Sequence, residues 1–296
     1  MKLFGIIKAL SLYQDLKAAI KVAFMPTLKA ILREPTLLFR PLEVRRAFMA
    51  HVWTAFGGNA DAWMREDKEK LVRPNASGVV FDLGAGYGHL THYLDKERVM
   101  AYVALEPNVY MHEKLRKLAR ASGFVEEDGT FLLIGLSAED IVGIQGALAD
   151  WTLTHEERHR ALGIQWTSIG QVQVNTIVSI LSLCSVPNPE RTLRALVHEL
   201  LAPGGQLVFF EHVRNPRADI AFWQDVVTPV WRYFFDGCVV GVDGVGVVRA
   251  AGRTTEGDDE TNEDGWATME VWGKEGEEED SLFWHQAGRC VKKAVE

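Results

Sequence analysis

Gly84, Gly86 and Gly88 stand at alternate positions after Asp82, at the end of an apolar run over 79–81. Glycine has no Cβ, so a loop of this kind lets backbone N–H groups come close to a ligand. The spacing is G-x-G-x-G. The dinucleotide fingerprint G-x-G-x-x-G would need glycine at position 89, which is His89. Glu106, with Pro107 and Asn108 after it, closes a second apolar run over 101–105. An acid there can accept both hydroxyls of a ribose. Nicotinamide enzymes use an acid in the same place, so Glu106 points to a nucleoside before it points to any one cofactor. His212 and Asp236 are the candidate proton acceptors: an imidazole titrates near neutrality, and a carboxylate can also serve as a base. Cys184, Cys238 and Cys290 lie far apart with no C-x-x-C pair, which argues against a zinc site or a disulfide framework and for small packed residues. No metal is expected.

These residues need a scaffold that brings strand ends together. Apolar runs over 79–81, 101–105, 130–134, 174–181 and 206–210 alternate with helical patterns, which predicts a parallel sheet with right-handed crossovers. Ligands of such sheets bind beyond the carboxyl ends of the strands. The residues after the third strand, Ser137, Ala138, Glu139 and Asp140, can meet an adenine ring or begin a helix capped by Ser137. Ser179 and Ile180 end the fourth strand, and Glu211-His212 ends the fifth. Runs over 269–272 and 289–292 can add two final strands. Residues 43–72 look helical, interrupted at Gly57-Gly58. Tyr87 can pack against a ligand from inside the loop, and Trp53 and His51 can either close over it or serve the core. Residues 143–173 read as an insertion with a helix begun by Thr154. Residues 239–265 show no clear period, and 253–265 look loop-like.

The set Asp82 to Gly88, Glu106, Ala138-Glu139-Asp140 and Leu201 to Gly205 resembles the class I S-adenosylmethionine (SAM)-dependent methyltransferases. Leu183 to Val186, Asn188 to Arg191, Glu211 to Val213 and Phe235 to Cys238 are similar to the methyltransferase-like thiol S-methyltransferases within that class. The resemblance implies an α/β, Rossmann-like, doubly wound and mostly parallel seven-stranded sheet with N-terminal helices. It implies SAM as cofactor, held by Asp82, Gly84, Ala85, Gly86, Tyr87, Gly88, Glu106, Pro107, Asn108, Ala138, Glu139, Ser179 and Ile180. Asn175 departs from the class, which usually has Asp there, and 239–265 replaces a region that normally supplies part of the substrate wall.

The 296 residues suit one domain with additions: an amphipathic helical segment over 1–42 and a methyltransferase domain over 43–296, irregular and acidic over 239–280. A net charge of −8 argues against nucleic acid as a partner. Residues 1–40 carry seven Lys or Arg against two acids, whereas 254–280 carry twelve acids against Lys274. Leu3, Ile6, Ile7, Leu10, Tyr13, Leu16, Ile20 and Phe24 recur at helical spacing among lysines, a pattern that suits either the protein's own core or a membrane interface. Pro26, Pro35 and Pro41 should break the chain that follows. No secretory signal and no spanning run is visible, which points to the cytoplasmic side. The resembled thiol methyltransferases carry an N-terminal membrane-associating segment, which implies contact of residues 1–30 with an endoplasmic reticulum or lipid droplet surface.

The expected activity is methyl transfer from SAM to a small-molecule acceptor, best a thiol. The alternatives are an oxygen or nitrogen acceptor, a membrane-associated SAM-binding protein without catalysis, and a nicotinamide-linked reductase, against which His89 speaks.

Overall fold

The computed structural model describes residues 2–166, 172–253 and 265–294. Three helices lead: α1 (Lys2–Arg33), α2 (Pro41–Trp63) and α3 (Arg65–Leu71), with a short 3-10 turn at Pro35–Phe39. Then come β1 (Gly78–Leu83), β2 (Val99–Leu105), α4 (His112–Ala121), β3 (Phe131–Ile134), α5 (Ile141–Thr154), α6 (Glu156–Ala161), β4 (Val174–Ile180), α7 (Pro189–Glu199) and β5 (Leu201–Val213). The chain continues through α8 (Ala218–Phe234), α9 (Gly244–Ala251), β6 (Thr268–Gly273) and β7 (Trp284–Val291).

The seven strands form one sheet in the order β3-β2-β1-β4-β5-β7-β6. The first five are parallel, β7 runs antiparallel to β5, and β6 runs antiparallel to β7. β1 is buried along its whole length, which explains why it reads as a continuous apolar run without alternation. Its alternate residues serve two cores. Val79, Phe81 and Leu83 pack with Ile144 and Leu148 of α5, Leu193 and Leu196 of α7, and Val248 of α9. Val80 points to the other face with Tyr102, Leu115 and Ala119 of α4, and Phe124. The result is a three-layer α/β/α sandwich, the doubly wound sheet the sequence predicts. Strand order changes direction between β1 and β4, so the carboxyl ends of these strands open a crevice.

Several local expectations differ. α1 passes through Pro26, and α2 passes through Gly57-Gly58 to Trp63. A proline inside a helix costs about 3 kcal/mol and a glycine about 1 kcal/mol. Tertiary packing overrides both: Ala19 and Ala23 of α1 lie against Val52 of α2, with Phe48, Phe56 and Phe235 around them. The buried stripe of α1 is Leu12, Ala19, Ala23 and Thr27, while Tyr13 and Phe24 of the expected apolar stripe are 63% and 56% exposed. Close helix packing selects small residues, so the large ones face out. Residues 141–161 form two helices in the crossover from β3 to β4, and Thr154 ends α5 instead of capping the next helix. β5 starts at Leu201, ahead of Pro203-Gly204-Gly205, and β7 starts at Trp284, earlier than expected. Part of 239–265 is helical as α9, whose cap Asp243 accepts the Gly246 N–H. The loop expected over 253–265 lies mostly outside the described residues. Among the described residues, no helix is long and apolar enough to cross a membrane.

Candidate functional site

β1 ends in Asp82 and Leu83 and releases the glycine loop into the crevice. Gly84, Gly86 and Gly88 have φ of +72°, +56° and +81°, the left-handed region that a Cβ disfavours. Space decides two of them as well. A Cβ on Gly84 would stand 2.7 Å from Cβ of Ser182, and one on Gly86 would stand 3.0 Å from the indole nitrogen of Trp53. The N–H groups of Gly84 and Ala85 donate to the Leu105 carbonyl, which ties the loop to the end of β2.

Glu106 follows directly on β2 and is buried. Its Oε2 accepts the N–H of Gly86 at 2.7 Å and its Oε1 accepts the N–H of Asn108 at 2.8 Å. Burial pushes its carboxyl up to about 7, against those two N–H groups, which favour the charged form, and with Asp236 and Asp82 adding repulsion. Asp82, buried one strand over, accepts the Tyr102 hydroxyl at 2.7 Å. Burial also lifts Asp82 to about 7, although Tyr102 and Lys68 work the other way. Asp82 acts from beneath the loop, whereas Glu106 sits among its N–H groups.

α2 covers the loop. The Tyr87 hydroxyl donates to the Ala50 carbonyl at 2.6 Å and lies 2.8 Å from the Thr54 hydroxyl. Lys114 of α4 donates to Thr54 at 2.8 Å and stands 4.5 Å from the centre of the Tyr87 ring. Asn108 donates through Nδ2 to the Arg46 carbonyl at 2.9 Å and caps the following turn through Oδ1. Pro107, between Glu106 and Asn108, is partly buried. His51 is partly buried in α2, and burial followed by the Lys114 charge keeps it below the ordinary histidine range.

The ends of β3, β4 and β5 complete the rim. Ala138 is buried, while Glu139 is exposed and accepts Nδ2 of Asn188 at 3.1 Å. Asp140, not Ser137, caps α5 by accepting the Gly143 N–H. Ser179 donates to Oε1 of Glu211 at 2.7 Å, and the same oxygen accepts the Ser182 N–H at 3.1 Å. Ile180 is partly buried among Met64, Leu71, Val208, Phe210 and Ala287. Glu211 is fully buried with Oε2 unpartnered, and burial raises its pKa. This carboxyl holds the loop after β4, with Leu181 at φ +53°, against the glycine loop. Its role is not readable from the sequence, because Ser179 and Ser182 reach it only through the β4–β5 pairing. Asn175 lies at the opposite end of the sheet, where its Oδ1 accepts the Val79 N–H, so its departure from the class pattern does not touch the site.

The two candidate bases occupy different surroundings. Asp236 sits at φ +46° in the turn after α8, half-buried, and its charge reaches Glu106. Burial raises it, while Arg46 and then Arg45 oppose the rise. His212 is buried behind the loop after β4. Its Nδ1 lies 3.1 Å from the Val240 carbonyl and its Nε2 lies 3.4 Å from Sγ of Cys238. The sulfur of Cys238, then burial, push the Cys184 thiol well above its usual range. Burial disfavours the His212 imidazolium, but a Cys184 thiolate and Glu211 favour it and lift it to about 9. The structure therefore gathers Asp82, the glycine loop, Tyr87, Glu106, Asn108 and Asp236 on the crevice side and sets His212 apart in the core.

Comparison with known proteins bears on the family and the fold. A family described as methyltransferase domain matches residues 57–238. The thiol S-methyltransferase TMT1B of Homo sapiens is 38% identical over 87 residues, 29% of this chain and 35% of that protein. The thiol S-methyltransferase TMT1A of Homo sapiens is 42% identical over 79 residues, 26% of this chain and 32% of that protein. The matched segment thus spans about a third of the length of these curated relatives. Among solved structures, an O-methyltransferase family protein from Burkholderia thailandensis superposes with a TM-score of 0.55 at 13% identity, covering 91% of this chain and 71% of the other. A SAM-dependent methyltransferase from Leishmania major gives 0.50 at 14% identity, covering 86% and 82%. At such identities the likeness is one of fold.

Proposed function

The chain belongs to the methyltransferase domain family, and we propose that it transfers the methyl group of SAM to a small-molecule acceptor whose attacking atom is a thiol sulfur. The observation that carries the cofactor reading is the pair of Glu106 oxygens set among the N–H groups of Gly86 and Asn108, beside glycines whose missing Cβ atoms leave room for a ligand. The kinship with thiol S-methyltransferases supports the acceptor.

Bound SAM supplies a methyl carbon made electrophilic by the positive sulfur beside it. The chain's own residues then have four tasks. Glu106 accepts the two ribose hydroxyls. The glycine loop lets the cofactor lie against backbone N–H groups. Trp53 of α2 and Tyr87 beneath it exclude water and hold the reactants in line. Asp236 takes the thiol proton, which passes on to solvent. Held by Glu106 and the glycine loop, SAM would supply the methyl group and its sulfonium sulfur the leaving group. His212 has no open ring nitrogen toward the crevice, so any part it plays runs through the cysteines.

The test is incubation of the 296-residue chain with methyl-labelled SAM and a panel of alkyl thiols, phenols and amines. Label on thiols is the expected outcome. Label on phenols or amines alone moves the acceptor to oxygen or nitrogen. SAM binding with no transfer to any acceptor identifies a binding protein without catalysis.

We also propose that α1 rests on a membrane surface on the cytoplasmic side, at the endoplasmic reticulum or a lipid droplet. Tyr13, Phe24, Met25 and Leu32 face outward, beside the exposed Lys17, Lys21 and Lys29. Apolar groups flanked by lysines suit an interface with anionic lipid. The chain should pellet with liposomes and a chain lacking residues 1–30 should not; a full-length chain that stays in the supernatant refutes the idea.

A further inference from the structure

Cys184, His212 and Cys238 come from three separate elements and meet in the core. Cys184 lies in the loop after β4, His212 near the end of β5, and Cys238 in the turn after α8. All three are buried, and their donor atoms lie within 4.8 Å of one another. The meeting is built by the backbone, because the Val239 N–H donates to the Cys184 carbonyl at 2.9 Å and holds the two cysteine loops side by side. We propose that these three residues bind one thiophilic divalent cation, Zn2+, through two sulfurs and one imidazole nitrogen.

Three observations carry this assignment. The first is spacing. Zinc bonds of about 2.3 Å to sulfur and about 2.0–2.1 Å to nitrogen, at tetrahedral angles, separate a sulfur from a nitrogen ligand by about 3.6 Å. Sγ of Cys238 lies 3.4 Å from Nε2 of His212. The second is the orientation of the imidazole. A carbonyl only accepts, so the contact from Nδ1 to Val240 fixes the proton on Nδ1 and turns the Nε2 lone pair toward the sulfurs. That outer bond is the arrangement by which metal-bound histidines are usually oriented. The third is the wall. Phe283 meets the His212 ring edge-on with centroids 5.2 Å apart, and Trp231, Phe235 and Val240 pack around the cysteines. A dry apolar shell strengthens bonds between a dication and thiolates and slows loss of the ion. Binding displaces the two thiol protons to solvent. Ser185, whose hydroxyl is 3.6 Å from Sγ of Cys184, borders the fourth coordination position, which is left to this hydroxyl or to water.

The other constellation of this kind among the described residues, Asp61 with His89 and His92, already has a cation in place. The Lys68 ammonium lies 2.6 Å from Asp61 Oδ1.

The site is separable from methyl transfer, and so is its test. The reduced 296-residue chain, stripped of metal and loaded with Zn2+ or Co2+, is dialysed and its metal content measured by mass spectrometry. One ion should remain per chain. The Co2+ form should show thiolate-to-metal charge-transfer absorption together with the strong visible bands of a tetrahedral ion. Cys184→Ser and Cys238→Ser should each weaken the charge-transfer band, and Cys290→Ser should leave it unchanged. Wild-type chain that retains no ion, or whose Co2+ spectrum lacks the thiolate band, overturns the proposal even if every variant fails to fold. An undiminished band in the Cys184→Ser/Cys238→Ser double variant overturns it too, because the sulfurs must then lie elsewhere.

Discussion

The N–H of Gly86 donates to Oε2 of Glu106 across 2.7 Å, so the glycine loop after β1 and the acid after β2 form one unit. Neither strand end would hold its conformation as well alone. The carboxylate serves as a loop clamp and, in the proposed function, as the ribose acceptor.

Replacing Glu106 by Ala should therefore weaken SAM binding. Hydrogen bonds to a charged group contribute about 1.5–3 kcal/mol, which corresponds to a roughly 10- to 150-fold rise in Kd. Calorimetric titration with SAM or its demethylated product measures it. An unchanged Kd would remove Glu106 from the cofactor site.

Stability without ligand should fall as pH rises toward neutrality. Asp82 and Glu106 have ordinary values of 3.8 and 4.5, and both are lifted to about 7 in the fold. A raised acid keeps its proton in the folded state where the unfolded chain has lost it. The folded state then binds more protons, and stability declines with pH across that window. Tm should drop from about pH 4 to about pH 7, and His212, lifted from 6.5 to about 9, should carry the decline on to about pH 9. Glu106→Gln should flatten the slope, and a Tm that climbs through this range in wild-type protein would contradict the assignment.

Gly84→Ala should cost stability through two effects at once. The left-handed φ costs a non-glycine residue about 1–2 kcal/mol, and the new methyl meets Ser182. A chain of this size loses about 2–4 °C in Tm per kcal/mol. Adding Ser182→Gly should recover the steric part and leave the backbone part, so the double variant should melt between wild type and Gly84→Ala. Thermal denaturation followed by circular dichroism decides this.

The buried pair of Lys68 and Asp61, 2.6 Å apart with the Tyr93 hydroxyl 3.1 Å from the same oxygen, predicts an asymmetric response. Lys68→Met strands a buried carboxylate and should cost about 3–5 kcal/mol in urea denaturation, whereas Asp61→Leu/Lys68→Met together should cost much less. Equal losses in the single and double variants would mean that the pair matters only as packing.

Asp236→Asn should slow transfer to alkyl thiols of high pKa by about 100-fold or more and leave KM for SAM nearly unchanged. Acidic thiols, already ionised, should be much less affected. A uniform loss across both classes would make Asp236 a positioning group.

The meeting of the glycine loop with Glu106 was largely legible because its parts are local in sequence. A buried strand, the loop after it and the acid after the next strand each announce themselves through composition and turn chemistry. The contacts that close the site were not legible. Glu211 meets Ser179 and Ser182 only after β4 and β5 pair, and Cys184, His212 and Cys238 converge from three elements with no fixed spacing. α1 divides its apolar residues: Tyr13 and Phe24 of the stripe stay exposed, whereas close contact with α2 favours the small Ala19 and Ala23, which the stripe did not single out. Pro26 and Gly57-Gly58 carry true local penalties that packing outweighs.

Two of the bonds that fasten α2 over the glycine loop end on main-chain oxygens. Tyr87 reaches the Ala50 carbonyl, and Asn108 reaches that of Arg46. A bond to a peptide oxygen survives replacement of the residue that carries it, provided the helix persists. Both anchor points precede residue 57, where the family match begins. Side chains at positions 46 and 50 can thus be exchanged without loss of either bond, so the clasp on the glycine loop depends on the path of the helix and not on which residues carry it.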